Sequence, residues 1–267
     1  MMISRFVLIV WCAICAGYAS AHEFWIDAET YQVPPSGQIV ANLKNGQLFE
    51  GTPQAYLPRN FTRFDVVQSD TLRPVEGRLG DRPALNVPAP VDGLVAVVHE
   101  TTPSFVNYAE WEKFQKFADH KDFKDIAARH AANGFPAAPF RERYTRHVKA
   151  LFGVGSGQGI DRAVGLKTEF VALTNPYDPG FGDQMEVQVL YLGQPRADAQ
   201  VEVFDRAASG EVVVTLHRTD DNGIARIPVT SGHSYLFDAV VLQPILGDEK
   251  AVWDTFWAAL TFAVPAR

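Results

Sequence analysis

Residues 93–99 read Gly93-Leu94-Val95-Ala96-Val97-Val98-His99, an apolar run of strand length that is rich in valine. The segment before it, Pro88–Gly93, supplies the proline, aspartate and glycine that turns require. Valine packs well on a pleated sheet, so the run predicts a β-strand that ends at His99.

Similar runs occur on both sides of this strand and are separated by turn residues. They cover residues 24–26, 38–43, 63–67, 167–174, 185–192, 201–204, 212–216, 224–227, 235–241 and 253–262. Asn222-Gly223 is a strong hairpin signal, because both residues accept positive φ angles. Short strands at this spacing predict a mainly β chain built from antiparallel Ig-like sandwiches.

The middle of the chain has a different period. Apolar residues recur at steps of three and four from Tyr108 to Ala132, which predicts one broken helix or two short ones. A further helix is predicted from Pro139 to Phe152, with His147 on its apolar stripe. The glycine-rich stretch that follows matches no phosphate-binding motif, so we interpret it as a flexible linker.

These patterns predict two antiparallel β-sandwich domains with a helical segment between them. The predicted boundaries are 1–21 for a signal peptide, 22–106 for the first sandwich, 107–152 for the helical segment, 153–165 for the linker and 166–267 for the second sandwich.

Residues 1–21 have the features of a secretory signal. Arg5 precedes an apolar run over 6–16, and Ala19 and Ala21 occupy the two positions that a signal peptidase inspects. The run is too short to span a membrane. The sequence therefore predicts a periplasmic or secreted protein that is not inserted in the membrane after cleavage.

Cleavage at this point would make His22 the first residue of the mature protein. Its α-amine and its ring nitrogen Nδ1 would then form a chelate for one metal ion. Imidazole and amine nitrogens suit Ni(II), Co(II), Cu(II) and Zn(II), whereas Mg²⁺ and Ca²⁺ prefer oxygen. The alternative is that His22 is merely the residue that follows the cut.

The composition argues against cysteine chemistry and against binding to nucleic acid or anionic membranes. Both cysteines, Cys12 and Cys15, lie in the predicted signal, so the exported chain has no disulfide and no thiolate. The net charge is −7, and loss of the signal with its one arginine and no acid makes it about −8. An acidic chain without a basic stripe is not expected to bind nucleic acid or an anionic membrane.

Other histidines are candidate ligands. His99 is followed by Glu100, so a nitrogen and a carboxylate come together at a strand end, although an exposed strand-end histidine is equally consistent with the pattern. His147 is either a ligand or a buried residue with its hydrogen bonds satisfied. We expect His120, His130, His217 and His233 to lie at the surface. The chain has no His-Glu-x-x-His motif and no recognisable nucleophile, so we predict that it is not an enzyme.

Four segments carry a resemblance to a known family: His22–Ile26 (HEFWI), Phe140–Leu151 (FRERYTRHVKAL), Leu173–Tyr177 (LTNPY) and Trp253–Phe262. In their order and spacing the chain resembles a bacterial family of exported proteins that contain a domain of unknown function and are associated with nickel and cobalt uptake. The resemblance implies a periplasmic metal-handling role beside a membrane transporter. It also implies a second half similar to transthyretin-like sandwiches. Members often carry a histidine in the strand that corresponds to Asp238–Leu242, and this chain has none there.

The resulting hypothesis is a non-enzymatic accessory protein for metal uptake. It would bind Ni(II) or Co(II), with Cu(II) or Zn(II) as alternatives, through His22, His99, Glu100 and His147. Two other hypotheses remain open: a copper-dependent oxidative enzyme with an amino-terminal histidine site, and a metal-free β-sandwich that serves as an interaction module.

Overall fold

The computed structural model describes residues 22–247 and 250–267, so the predicted signal peptide lies outside the described residues. As predicted, the chain is mainly β. Its strands are β1 (Glu23–Asp27), β2 (Gln32–Val33), β3 (Gln38–Gln47), β4 (Glu50–Gln54), β5 (Phe61–Gln68), β6 (Thr71–Pro74), β7 (Leu85–Pro88), β8 (Gly93–Thr101), β9 (Ser104–Tyr108), β10 (Phe140–Val154), β11 (Thr168–Ala172), β12 (Gln184–Tyr191), β13 (Gln194–Pro195), β14 (Gln200–Arg206), β15 (Val212–Arg218), β16 (Ile224–Pro228), β17 (Ser234–Pro244) and β18 (Trp253–Ala263). The α-helices are α1 (Trp111–His120) and α2 (Ile126–Ala132), and Pro58–Asn60 form one short 3₁₀ turn.

A ten-stranded sheet forms the centre of the molecule. Its strands follow the order β15-β14-β17-β18-β10-β8-β5-β6, and β2 and β9 also pair with β10. Most pairs are antiparallel, but β10 runs parallel to the short β2 and to β18. In the β10–β18 pair, Glu142 lies opposite Trp253 and Ala150 opposite Thr261. This pairing joins the first half of the chain to the second within one sheet.

Two smaller sheets complete the architecture. One contains β1, β3, β4 and β7, and the other contains β11, β12, β13 and β16. Strands β1 and β11 both contact β10 or β18. A continuous apolar cluster therefore includes Trp25 and Val97 from the first half and Phe170 and Phe237 from the second. The ten-stranded sheet and the apolar cluster both extend across the boundary between the two predicted domains. The division into two sandwich domains stays a prediction.

The prediction of a helix over residues 139–152 is wrong, because this segment is the long strand β10. Its first residues alternate between buried Phe140 and Glu142 and half-exposed Arg141 and Arg143. That period of two is a strand signal, but the buried face carries a glutamate, so a search for apolar residues overlooks it. From Thr145 onward every residue is buried, because β1 and β11 of the two smaller sheets pack against β10.

The two α-helices lie within the predicted helical stretch, residues 108–132. Lys121–Asp125 separate them, and Asp122 and Asp125 adopt positive φ angles that interrupt the helix. The pair covers the end of the sheet where β9, β10, β17 and β18 meet, and forms a second aromatic cluster around Phe114. Within the described residues, no helix is long and apolar enough to cross a membrane.

The glycine-rich segment after β10 is not the flexible linker that we predicted. The Ser156 amide donates to Asp92 Oδ1 at 2.7 Å, and the Asn175 side-chain amide donates to the carbonyls of Gly157 and Gly159 at 2.8 and 3.0 Å. Gly157 has a φ of 65°, and a Cβ there would lie 2.7 Å from Cβ of Tyr177. The glycines thus permit a tight turn that packs against the sheet.

Candidate metal site

His22 lies at the exposed start of β1, on the wall of a cleft of about 690 Å³. Its carbonyl oxygen accepts a hydrogen bond of 2.5 Å from Nη2 of Arg146 on β10. Arg146 thereby fixes the main chain at the position where the predicted mature protein begins.

The cleft beside His22 also offers oxygen donors. Asn45, Glu50 and Thr52 line it, and within the described residues the buried Oδ1 of Asn45 has no hydrogen-bond partner. Buried polar atoms are nearly always paired, so an unpaired amide oxygen at a cleft is unusual. An α-amine, an imidazole and one or two oxygens would form a mixed nitrogen and oxygen set of the kind that Ni(II), Co(II) and Zn(II) accept.

His99 lies on the inner face of β8 in a box of aromatic rings. It stacks on Phe24 with ring centroids 5.3 Å apart, and it contacts Phe61 and Phe64. Burial lowers the pKa of His99 to about 3, so the ring is neutral near pH 7. Within the described residues its buried Nδ1 has no partner, and it lines a smaller pocket of about 210 Å³.

Glu100 and His147 meet on the other face of the same sheet. Nε2 of His147 lies 4.0 Å from Oε1 of Glu100, and burial lowers the pKa of His147 to about 4. Consecutive residues of a strand point to opposite faces, so Glu100 points away from the face that carries His99.

The four predicted ligands are therefore divided between two faces of the sheet. His22 and His99 share neighbours, because Asn45 and Arg146 lie beside both, whereas Glu100 and His147 form a separate pair. Within residues 22–247 and 250–267, no group of three or more His, Cys, Asp or Glu side chains is arranged to hold a metal ion. A chelate formed by the His22 amine and imidazole does not need such a group.

Sequence reasoning missed a buried charge cluster beside the candidate site. Its centre is Lys121, whose Nζ lies 2.6 Å from Oε2 of Glu202, 2.8 Å from Oδ2 of Asp238 and 3.8 Å from Oε1 of Glu23. All four side chains are at most 5% exposed. The signal was available in the sequence, because Glu202 and Asp238 each interrupt an apolar strand.

The three carboxyl groups of this cluster differ in pKa. Burial raises the pKa of Glu23 to about 7 and also raises that of Asp238, although Lys121 opposes both changes. Burial acts on Glu202 in the same direction, but hydrogen bonds from His120 and Lys121 prevail and lower its pKa to about 2. Glu202 is therefore ionised near neutral pH, whereas Glu23 is partly protonated there.

Arg146 connects the charge cluster to the smaller pocket. Its guanidinium lies 4.7 Å from the ring centre of Tyr144, 5.7 Å from Trp257 and 6.0 Å from Phe24. Burial lowers its pKa while Asp238 and Glu23 act in the opposite direction. Because the guanidinium also donates to the carbonyl of His22, it connects the start of β1 with the buried charge cluster around Lys121.

Residues 19–243 match the model of a domain of unknown function, DUF4198. This chain belongs to the DUF4198 family.

No curated protein matches this DUF4198 chain. Two solved structures show a distant similarity. One is a mutant alpha-2-macroglobulin from Salmonella, at 13% identity and a TM-score of 0.23, with 91% of this chain and 15% of the other covered. The other is a tetra-tandem repeat from the extending region of a large adhesion protein, at 10% identity and a TM-score of 0.21, with 91% and 50% covered. The DUF4198 chain thus spans half or less of the length of each, and similarities this weak carry no argument about its function.

Proposed function

We propose that the mature protein is a periplasmic or secreted accessory protein that binds a transition-metal ion at His22 for uptake by a membrane transporter. The observation that carries the proposal is the position of His22, exposed on the cleft wall with its main chain held by Arg146. A chain that begins there presents its amine and its imidazole to the cleft from a fixed point.

The metal follows from the donors. Two nitrogens from one residue favour borderline ions, and the family resemblance makes Ni(II) and Co(II) the first candidates. Cu(II) and Zn(II) remain alternatives with the same donors. His99 would add a third nitrogen, from a ring that is already neutral, which is the state that a metal ligand requires.

The test begins with mass spectrometry of the exported protein, which we expect to show His22 at the amino terminus. Calorimetric titration of Ni(II), Co(II), Cu(II) and Zn(II) then compares this protein with a variant that has one alanine ahead of His22. The added residue keeps every side chain but moves the amine away from the imidazole, so we expect tight binding to be lost.

Two further results complete the test. A His99→Phe variant keeps the aromatic packing and removes the ring nitrogens. A weaker metal affinity would show that His99 is a ligand, and an unchanged affinity would show that His22 binds the metal without it. Metal at a hundred times its dissociation constant should add about 2.7 kcal/mol to the free energy of unfolding. Equal binding by the alanine-extended variant, or a different amino terminus, would refute the proposal.

A further inference from the structure

A second buried charge cluster involves Lys149, which follows Arg146 by three residues on β10, together with Asp161 and Glu169. Lys149 is on β10, Asp161 is in the loop that follows it, and Glu169 is on β11. Nζ of Lys149 lies 3.0 and 3.2 Å from the two oxygens of Asp161 and 3.6 Å from Oε2 of Glu169. The three side chains are 1%, 2% and 1% exposed.

The backbone fixes all three groups. Lys149 also donates to the carbonyl of Arg162 at 3.0 Å, and Oδ2 of Asp161 accepts from the amide of Ala172 at 2.9 Å. The oxygens of Glu169 accept from the amides of Val164 and Gly165 at 2.9 and 3.1 Å. An amine and a carboxyl group are thus held in contact in a place that water does not reach.

As a set of buried ions, this arrangement has an unfavourable free energy of desolvation. One ammonium and two carboxylates leave a formal charge of −1 in the interior, and desolvation of buried ions often exceeds their mutual attraction. Attack on a carboxyl carbon requires the neutral amine, which forms when the ammonium passes a proton to a neighbouring carboxylate. A neutral lysine amine is a nucleophile.

We propose that Lys149 and Asp161 become joined by an amide bond between their side chains, with Glu169 carrying the proton. The Nζ atom attacks Cγ of Asp161, so a C–N bond forms and one C–O bond of the carboxyl group breaks. Glu169 takes a proton from the nitrogen and passes it to the departing oxygen, which leaves as water. The ammonium and the carboxylate thereby become one amide and one water, with no oxidant and no change in net charge.

Three observations assign these roles. Asp161 is the closer carboxyl group, and the Ala172 amide on Oδ2 is placed to stabilise the negative charge that develops on that oxygen during attack. Glu169 is farther from Nζ, at 3.6 Å, and two backbone amides fix its position, so it lies beside the amine as a proton carrier and is not the group that is attacked. Fixed contact replaces a bimolecular encounter, and the exclusion of water opposes hydrolysis of the product.

The test is the intact mass of the purified protein after full denaturation, followed by tandem mass spectrometry of a digest. We expect the mass to be lower than the sequence requires by one water, and we expect one branched peptide that joins Lys149 to Asp161. An Asp161→Asn variant should instead lose one ammonia, because an amide nitrogen then departs. Glu169→Gln should retain the full sequence mass.

The wild-type measurement decides the matter even where a variant does not fold. A wild-type protein with its full mass, or a lost water that maps to another residue, would overturn the proposal and leave the cluster as an ion pair only. Neither result depends on metal binding, so this test and that of the proposed function fail independently.

Discussion

Glu142 shows at the scale of one residue how burial changes acid chemistry in this protein. Its two oxygens accept hydrogen bonds from the hydroxyls of Tyr108, at 2.9 Å, and Thr255. These bonds favour the charged form, but burial is the larger effect and raises the pKa of Glu142 to about 7. The carboxyl group is therefore partly protonated near neutral pH although it lies between two donors.

A Glu142→Gln substitution tests this balance. The unfolded chain releases the proton near pH 4.5 and the folded protein near pH 7. The folded state therefore holds one more proton between these values, and this group lowers the free energy of unfolding as the pH rises. Glutamine cannot titrate, so the difference between variant and wild type should shift by about 3 kcal/mol in favour of the variant across this range.

Urea unfolding of both proteins at several pH values between 4.5 and 7 measures the difference. His99 and His147, whose pKa values burial lowers to about 3 and 4, act in the opposite direction below pH 6.5. They are present in both proteins and cancel in the comparison. A difference that stays constant with pH would show that Glu142 is ionised throughout.

Lys121 is the second residue whose surroundings permit a sharp prediction. A Lys121→Met substitution leaves three buried carboxylates without their cation, so it should reduce the free energy of unfolding by about 3–5 kcal/mol. Lys124→Met is the matched control, because the side chain of Lys124 is 72% exposed in its pair with Asp122. We expect the control to change stability by less than about 1 kcal/mol in thermal or urea unfolding. Equal effects would contradict the cluster.

At the scale of elements, His130 attaches the helical pair to the end of the sheet. Nε2 of His130 contacts the carbonyl of Pro136 at 2.8 Å and so acts as a donor, while Nδ1 accepts a hydrogen bond from Nε1 of Trp253 at 3.0 Å. The ring is 4% exposed and lies among Trp111, Phe135 and Phe140. Our prediction of a surface position for His130 was wrong, since the helix packs this face on β18.

A His130→Ala variant should therefore lose about 2–4 kcal/mol of unfolding free energy, because it leaves a cavity and an unpaired indole N–H. His217→Ala, on the edge strand β15 with a side-chain bond to Thr215, is the control and should cost much less. Thermal unfolding followed by circular dichroism measures both. Similar losses would mean that the helices contribute little to the stability of the sheet.

Some of the strands could be predicted from the sequence and others could not. Strands such as β8 and β12 were predicted because their apolar runs and turn boundaries are local signals. Strand β10 was missed because its period of two places a glutamate among the buried residues and because its partner strand β18 is distant in the sequence. The clusters around Lys121 and Lys149 each unite charges from three or four separate segments, so the polar residues that interrupt apolar strands, such as Glu202 and Asp238, did not reveal their partners.

At the scale of the whole molecule, the parallel pairing of β10 with β18 joins the two halves of the chain in one sheet. The main apolar cluster also contains residues of both halves. We predict that both halves unfold together. Hydrogen exchange at increasing urea concentration should give peptides from β3 and β17 the same unfolding midpoint. A lower midpoint for one half would instead support two separate domains.

The same parallel pairing has a consequence during synthesis. On one edge of β10, the residues from Glu142 to Ala150 are paired only when Trp253–Thr261 of β18 exist, and β18 is the last strand among the described residues. A growing chain that has passed β10 therefore displays an uncovered sheet edge while about a hundred further residues are added, and such edges recruit other strands. The chain is therefore most prone to aggregation just before β18 is made. A stop codon ahead of β18 should yield aggregate instead of a smaller folded product.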